Sequence, residues 1–103
     1  MTYGFVMDVP APVEFYDALH AELGRRGASA DVQGLLFHLG RQTPGGFQVI
    51  EVWESKELCD RYTAELVNPA IAELSGGQPP PMQPAVEEFE PRGLVLPAAH
   101  VFV

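Results

Sequence analysis

Two strand-like runs meet at Thr43-Pro44-Gly45-Gly46, and that junction constrains the fold more than any other feature of the chain. Proline followed by glycine at the two central positions is the preference of a type II turn. The run before it, Gly34 to Gln42, contains Leu35-Leu36-Phe37-His38-Leu39, and the run after it, Phe47 to Glu54, reads Phe-Gln-Val-Ile-Glu-Val-Trp-Glu. Aromatic and β-branched residues on both sides of a tight turn predict an antiparallel hairpin in the middle of the sequence.

The flanks complete a pattern around that hairpin. Residues 2–8, Thr-Tyr-Gly-Phe-Val-Met-Asp, read as a strand that stops at Pro10. Ala11-Pro12 opens a helix, since proline fits a first helical turn where its missing N–H has no partner to lose. Phe15, Leu19 and Leu23 recur at four-residue spacing as its apolar stripe, and Arg25 and Arg26 lie near its negative end before Gly27. After the hairpin, Ser55 is a good N-cap with Glu57 in the first turn, and Leu58, Tyr62 and Leu66 form a second stripe. Asn68-Pro69 is expected to end or kink this helix, because a residue before proline is pushed out of the α region. A helical turn at residues 70–74 follows, then an irregular loop over residues 75–84. Ala85 to Phe89 is a last strand.

The order β-α-β-β-α-β predicts an α+β, ferredoxin-like sandwich: an antiparallel four-stranded sheet with two helices on one face. With 103 residues the chain has the size of one domain, read as residues 1–103, in which residues 93–103 form a C-terminal tail. That tail is read as a further strand or as an arm laid on, and exchanged with, a partner.

Charge and cysteine content narrow the partners. Six Lys and Arg stand against fourteen Asp and Glu, a formal net charge of −8, so nucleic acid and anionic membranes are not expected to bind. The single cysteine, Cys59, excludes an internal disulfide and fits a reducing cytoplasm. The N-terminus lacks the basic and apolar regions of a signal peptide, and the apolar tract from Gly93 is interrupted by Pro97 and His100 and too short to span a bilayer.

Both faces of the predicted sheet carry apolar residues. Phe47, Val49 and Trp53 share one side of their strand, Ile50 and Val52 the other, and Tyr3, Phe5 and Met7 alternate with Val6. A solvated face reads polar at every second position, so the face without helices is expected to be covered by a second copy of the chain. Such a homodimer would enclose a barrel-like space for a small hydrophobic ligand.

The run Val49-Ile50-Glu51-Val52-Trp53-Glu54-Ser55-Lys56-Glu57-Leu58, followed by Tyr62, Leu66 and Asn68-Pro69-Ala70, resembles the dimeric α/β-barrel superfamily and its antibiotic-biosynthesis-monooxygenase-like small proteins. The resemblance implies a homodimer with one pocket per subunit, and chemistry of the kind found in cofactor-free oxygenases acting on polycyclic phenols, in haem-degrading enzymes and in small isomerases. Val49 stands where polyketide-oxidising relatives tend to carry Asn, and residues 56–74 contain no histidine of the kind that ligates haem. No cofactor and no metal are therefore expected.

Two residues are candidates for general-base catalysis. His38 lies mid-strand with a side chain that titrates near neutrality; it could equally be a hydrogen-bonded lining or interface histidine. Glu51, mid-strand among apolar neighbours, could be the base if it faces the cavity, or else a polar rim residue or the partner of Arg41 in a salt bridge across the hairpin. Trp53 reads as a pocket wall or as a core tryptophan at the strand–helix junction, and Tyr62 as core with its hydroxyl reaching the pocket. Phe5 and Phe37 complete the expected substrate-binding set. His20 reads as a surface residue, His100 as structural or interfacial, Asp8 as a strand-end turn residue and Cys59 as a partly buried helix residue. Two functions remain open: an enzyme acting by general-base catalysis on an aromatic or polyketide-like substrate, or a ligand-binding or structural homodimer without turnover.

Overall fold

The computed structural model describes residues 2–28, 32–77 and 83–103. Strand β1 is Tyr3–Val9, helix α1 Val13–Leu23, β2 Leu35–Thr43, β3 Gly46–Trp53, α2 Lys56–Tyr62, α3 Asn68–Leu74 and β4 Ala85–Phe89. The four strands lie in the order β2-β3-β1-β4 with every neighbouring pair antiparallel. This is the expected ferredoxin-like α+β arrangement. Half of the predicted loop over 75–84, residues 78–82, lies outside the described residues.

The registers decide which side chains share a face. Tyr3, Phe5, Met7 and Val9 stand opposite Trp53, Glu51, Val49 and Phe47, and this is the face the helices cover. Alternate positions of β3 sink into that interface: Phe47, Val49, Glu51 and Trp53 are all buried, Trp53 completely. Val6, Phe37, Leu39, Ile50 and Phe89 lie on the opposite face. There Leu39 is 44% and Phe89 36% exposed, so the second face is apolar and incompletely covered.

β2 carries a bulge. Leu35 pairs with Trp53, but Phe37, not Leu36, pairs with Val52, so two residues of β2 oppose one of β3. Because side chains alternate, that single extra residue moves everything after it to the other face. It sends Phe37 to the face without helices and His38 to the helix face, directly opposite Glu51.

The hairpin turn departs from the expected type II geometry. That turn needs a positive φ at Gly45, whereas the positive value falls at Gly46, with φ 157°. The reason lies in the neighbouring chain: a Cβ on Gly46 would collide with the backbone of Val9 and Ala11, so the hairpin end presses against the β1–α1 connection and only glycine fits there.

Ser55 caps α2 as expected, its Oγ accepting from the Leu58 N–H at 3.3 Å. Pro69 does not end the helix. Asn68 keeps right-handed helical angles (φ −61°, ψ −44°), and α2 runs into α3 through a π-helical segment, Thr63–Val67. The Asn68 N–H reaches back five residues to the Thr63 carbonyl. The widened turn relieves the clash that proline makes with the carbonyl four residues earlier, which explains why the predicted break is absent. α1 likewise passes into a π-type segment, Gly24–Ala28. Arg26 from that segment bonds both Glu22 and Glu73, tying the end of α1 to α3.

The tail is a hairpin of its own: β5, Val95–Leu96, pairs with β6, Val101–Phe102, around a 3-10 turn at Pro97–Ala99. It adds no strand to the main sheet, and Phe102 on it is 83% exposed.

Candidate functional site

The helix face of the sheet gathers one connected polar constellation. Glu51 sits mid-strand with 8% of its surface exposed, and both of its carboxylate oxygens are used. Oε1 accepts the Trp53 indole N–H at 2.9 Å, and Oε2 lies 2.6 Å from His38 Nδ1. His38 Nε2 in turn lies 2.8 Å from the Tyr16 hydroxyl. An ionised carboxylate only accepts, so His38 Nδ1 carries a proton, and in the neutral imidazole Nε2 then holds the lone pair that receives the Tyr16 O–H. The chain of bonds therefore has one direction, from the Tyr16 hydroxyl through the imidazole to the carboxylate.

Each member is held by its own element. Trp53 and Glu51 are two residues apart on β3 and so point the same way, and the Trp53 ring packs on Tyr62 of α2 at 5.3 Å between centroids. The β2 bulge aims His38 at Glu51. Tyr16 comes from α1, its ring against Phe47 at 5.5 Å and over Gly40. A Cβ on Gly40 would overlap the Tyr16 ring and hydroxyl. A glycine inside a strand weakens the strand, and here the missing side chain is the slot that seats the tyrosine. His20, one turn further along α1, lies near-parallel to both rings, 5.6 Å from Tyr16 and 6.0 Å from His38.

Exposure rises along the relay. Trp53 is fully buried, Glu51 almost so, and the His38 side chain is 28% accessible. The polar chain runs from the core to the surface between α1 and β2. An open cleft of about 370 Å³, lined by residues 10–14 and 42–46, lies beside the β2–β3 turn rather than at His38.

Burial and the Glu51 charge raise the phenols around the site. Tyr62 is pushed up to about 12, by desolvation first and by Glu51 second. Tyr16 is raised by desolvation, then by Glu51 and Asp17. Tyr3 is raised by desolvation and by its hydrogen bond to Glu88. These are all three tyrosines of the chain. A phenol that ionises less readily in the folded state favours folding fully below its unfolded value and loses that contribution as pH climbs through the folded one. An ultraviolet titration of the native protein is thus expected to place the tyrosinate step above the pH of ~10 at which the unfolded chain titrates. The melting temperature should begin to fall only above that pH. A full native step at pH ~10 would contradict the packing described. Cys59, buried on α2, is pushed up to about 11 by desolvation and then by Glu51, which keeps its thiol protonated at neutral pH.

The predicted site residues divide between the two sheet faces. His38, Glu51 and Trp53 come together by direct hydrogen bonds, with Tyr62 against the indole; Phe5 stands on the same face, opposite Glu51 in register. Phe37 lies on the other face, separated from His38 by the pleat. The alternative in which Glu51 pairs with Arg41 is not what forms: Arg41 bonds Gln48 at 2.8 Å on the far face, and Glu51 turns to His38 and Trp53. The sequence reading passed over Tyr16 and placed His20 on the surface without a role. Gly40, an isolated glycine within a strand pattern, was the available signal of a close approach. Among the described residues, no group of three or more His, Cys, Asp and Glu is arranged to hold a metal ion, and no helix is long and apolar enough to cross a membrane.

No protein-family model and no curated protein matches the chain. Solved structures do. A provisionally assigned antibiotic biosynthesis monooxygenase from Chloroflexus aurantiacus is 27% identical with a TM-score of 0.64, over 92% of this chain and 97% of that one. SnoaB, a cofactor-independent oxygenase from Streptomyces nogalater, is 17% identical with a TM-score of 0.57, over 93% and 95%. A monooxygenase of Streptomyces coelicolor, ActVA-Orf6, solved with the ligand nanaomycin D, is 22% identical with a TM-score of 0.55, over 93% and 91%. The chain shares its ferredoxin-like α+β fold with these antibiotic-biosynthesis-monooxygenase-like structures.

Proposed function

We propose that the protein is a small-molecule oxygenase that needs no cofactor and acts on an acidic aromatic substrate, with the His38–Glu51 pair as its general base. The observation that carries this reading is the buried Glu51 carboxylate bonded at once to the Trp53 indole and the His38 ring. A carboxylate behind an imidazole fixes the tautomer and stabilises the imidazolium that forms when the ring takes a proton. The likeness to SnoaB, a cofactor-independent oxygenase, and to ActVA-Orf6 supports oxygen as the co-substrate.

The chemistry balances without an added reductant. A proton leaves the substrate's activated C–H or O–H for the His38–Glu51 pair, and the electron-rich anion reduces dioxygen and combines with it. The peroxide so formed is protonated and loses water. For an anthrone, the ring CH2 and one O2 become a quinone carbonyl and one H2O. The protein positions the substrate, excludes water and moves the proton.

Oxygen uptake with dithranol, a 1,8-dihydroxyanthrone, tests this after subtraction of its spontaneous oxidation. The wild-type protein should accelerate uptake, and His38→Ala should lower kcat about 10²- to 10⁴-fold, the range ascribed to general-base catalysis. Uptake no faster than in buffer, or a His38→Ala variant as fast as wild type, would overturn the reading. Dithranol bound and recovered unchanged would favour a binding protein without turnover.

The reading includes a second copy of the chain over the uncovered sheet face. Its support is the apolar patch of Val6, Phe37, Leu39, Ile50 and Phe89 on that face, with Leu39 44% exposed. Native mass spectrometry should show a dimer, and Leu39→Asp should yield monomer, because an unpaired charge buried in an interface costs about 3 kcal/mol or more. A monomeric wild-type protein at micromolar concentration would sink this part of the account.

A further inference from the structure

We infer that Tyr16 is the catalytic group that meets the substrate, standing between it and the His38–Glu51 base, and that it admits only a ligand that donates a hydrogen bond to the phenolic oxygen. This rests on the general-base reading of His38 and Glu51 and adds a residue to it.

The argument follows the polarity of the hydrogen bonds. Glu51 Oε2 accepts the His38 Nδ1–H, so in the neutral imidazole Nε2 is an acceptor. The Tyr16 hydroxyl lies 2.8 Å from that nitrogen and spends its only proton on it. What the phenolic oxygen has left is lone pairs, and lone pairs bind a donor. A ketone or an ether, which offers only acceptors, finds no partner there; a phenol or an enol does. The basic nitrogen of His38 is capped, so a substrate reaches the base through Tyr16.

Proton transfer through such a pair balances in one step. The substrate O–H proton passes to the Tyr16 oxygen as the Tyr16 proton passes to His38 Nε2. The products are a substrate oxyanion, a neutral tyrosine and an imidazolium paired with Glu51.

Tyr16 is built into this position rather than swinging over it. Gly40 leaves the space its ring and hydroxyl fill, Phe47 packs on the ring at 5.5 Å, and His20 lies near-parallel to it at 5.6 Å. Burial, Glu51 and Asp17 raise the phenol above its ordinary value, so it keeps the proton it donates.

Binding of 1-naphthol and of its methyl ether, 1-methoxynaphthalene, separates this inference from the question of turnover. The two probes share shape and apolar area but only naphthol donates. Imidazole nitrogen resonances of the 15N-labelled protein report contact with His38. Naphthol is expected to shift the His38 signals and to bind about 10-fold tighter than the ether, the worth of one well-made hydrogen bond. In Tyr16→Phe, which keeps the ring on Gly40 and Phe47, the preference should vanish while the ether binds as before. Equal binding of both probes, binding of neither at millimolar concentration, or a preference that survives in Tyr16→Phe would overturn it. Failure of dithranol oxidation alongside a naphthol preference lost in Tyr16→Phe would strike the oxygenase reading and leave Tyr16 as the ligand-facing group.

Discussion

Glu51→Gln is expected to leave the protein folded and to abolish most of its activity. The amide oxygen of glutamine can still accept the Trp53 N–H, so the fully buried indole keeps its partner. The other carboxylate oxygen becomes an NH2, which donates and cannot accept from His38 Nδ1. His38 must then turn its ring or move its proton to Nε2, and the direction of the relay reverses. Stability should change by about 1 kcal/mol, the net worth of one hydrogen bond. Turnover should fall about 10²- to 10⁴-fold, as it does when a histidine base is left in the wrong tautomer. Melting temperature and dithranol oxidation, measured on the same preparation, check both halves. Glu51→Leu should differ by losing stability as well, about 1–3 kcal/mol, because it orphans the Trp53 N–H in the core. A Glu51→Gln variant with normal turnover would remove the carboxylate from the mechanism.

Trp53→Ala should be the most damaging substitution for the fold. Trp53 is fully buried, packs on Tyr62 at 5.3 Å and donates to Glu51. Its removal leaves a cavity at the junction of β3 with α2 and a carboxylate oxygen without its donor. Large-to-small changes of this kind cost about 3–5 kcal/mol, a large share of the ~5–15 kcal/mol that holds a domain together. For a chain near one hundred residues this corresponds to a fall in melting temperature of about 12–40 °C, at ~4–8 °C per kcal/mol. Thermal unfolding by circular dichroism measures it. A fall of only a few degrees would mean that Trp53 is not the packing centre of the helix face.

The element order was legible because it rests on local signals. The β2–β3 hairpin, the Ser55 cap and the strand at Ala85–Phe89 each follow from a few adjacent residues and appear as read. Two misreadings concerned backbone detail that neighbours decide. Asn68-Pro69 was expected to end or kink the helix; the helix does not end there, and a π-helical segment upstream accommodates the proline. Pro44-Gly45 was read as a type II turn, and contact with the β1–α1 connection moves the positive φ to Gly46.

The site was half legible for a related reason. Glu51 and Trp53 are two apart on one strand, so their shared face is a matter of alternation. His38 could be placed opposite Glu51 only by knowing of the bulge at Leu36. An ideal register would have set Phe37 there and turned His38 to the other face. Tyr16 belongs to a helix more than twenty residues away from His38, and its only trace in the sequence is the gap left by Gly40.

The direction of the Tyr16–His38–Glu51 relay can be measured without any substrate. A long-range nitrogen–proton correlation spectrum at about pH 8.5, where an ordinary histidine (~6.5) is neutral, reports which ring nitrogen of His38 holds the proton. The account predicts protonation at Nδ1 with an accepting Nε2, and a switch toward Nε2–H in Glu51→Gln. A wild-type His38 protonated at Nε2, or a free mixture of tautomers that Glu51→Gln leaves unchanged, would contradict it.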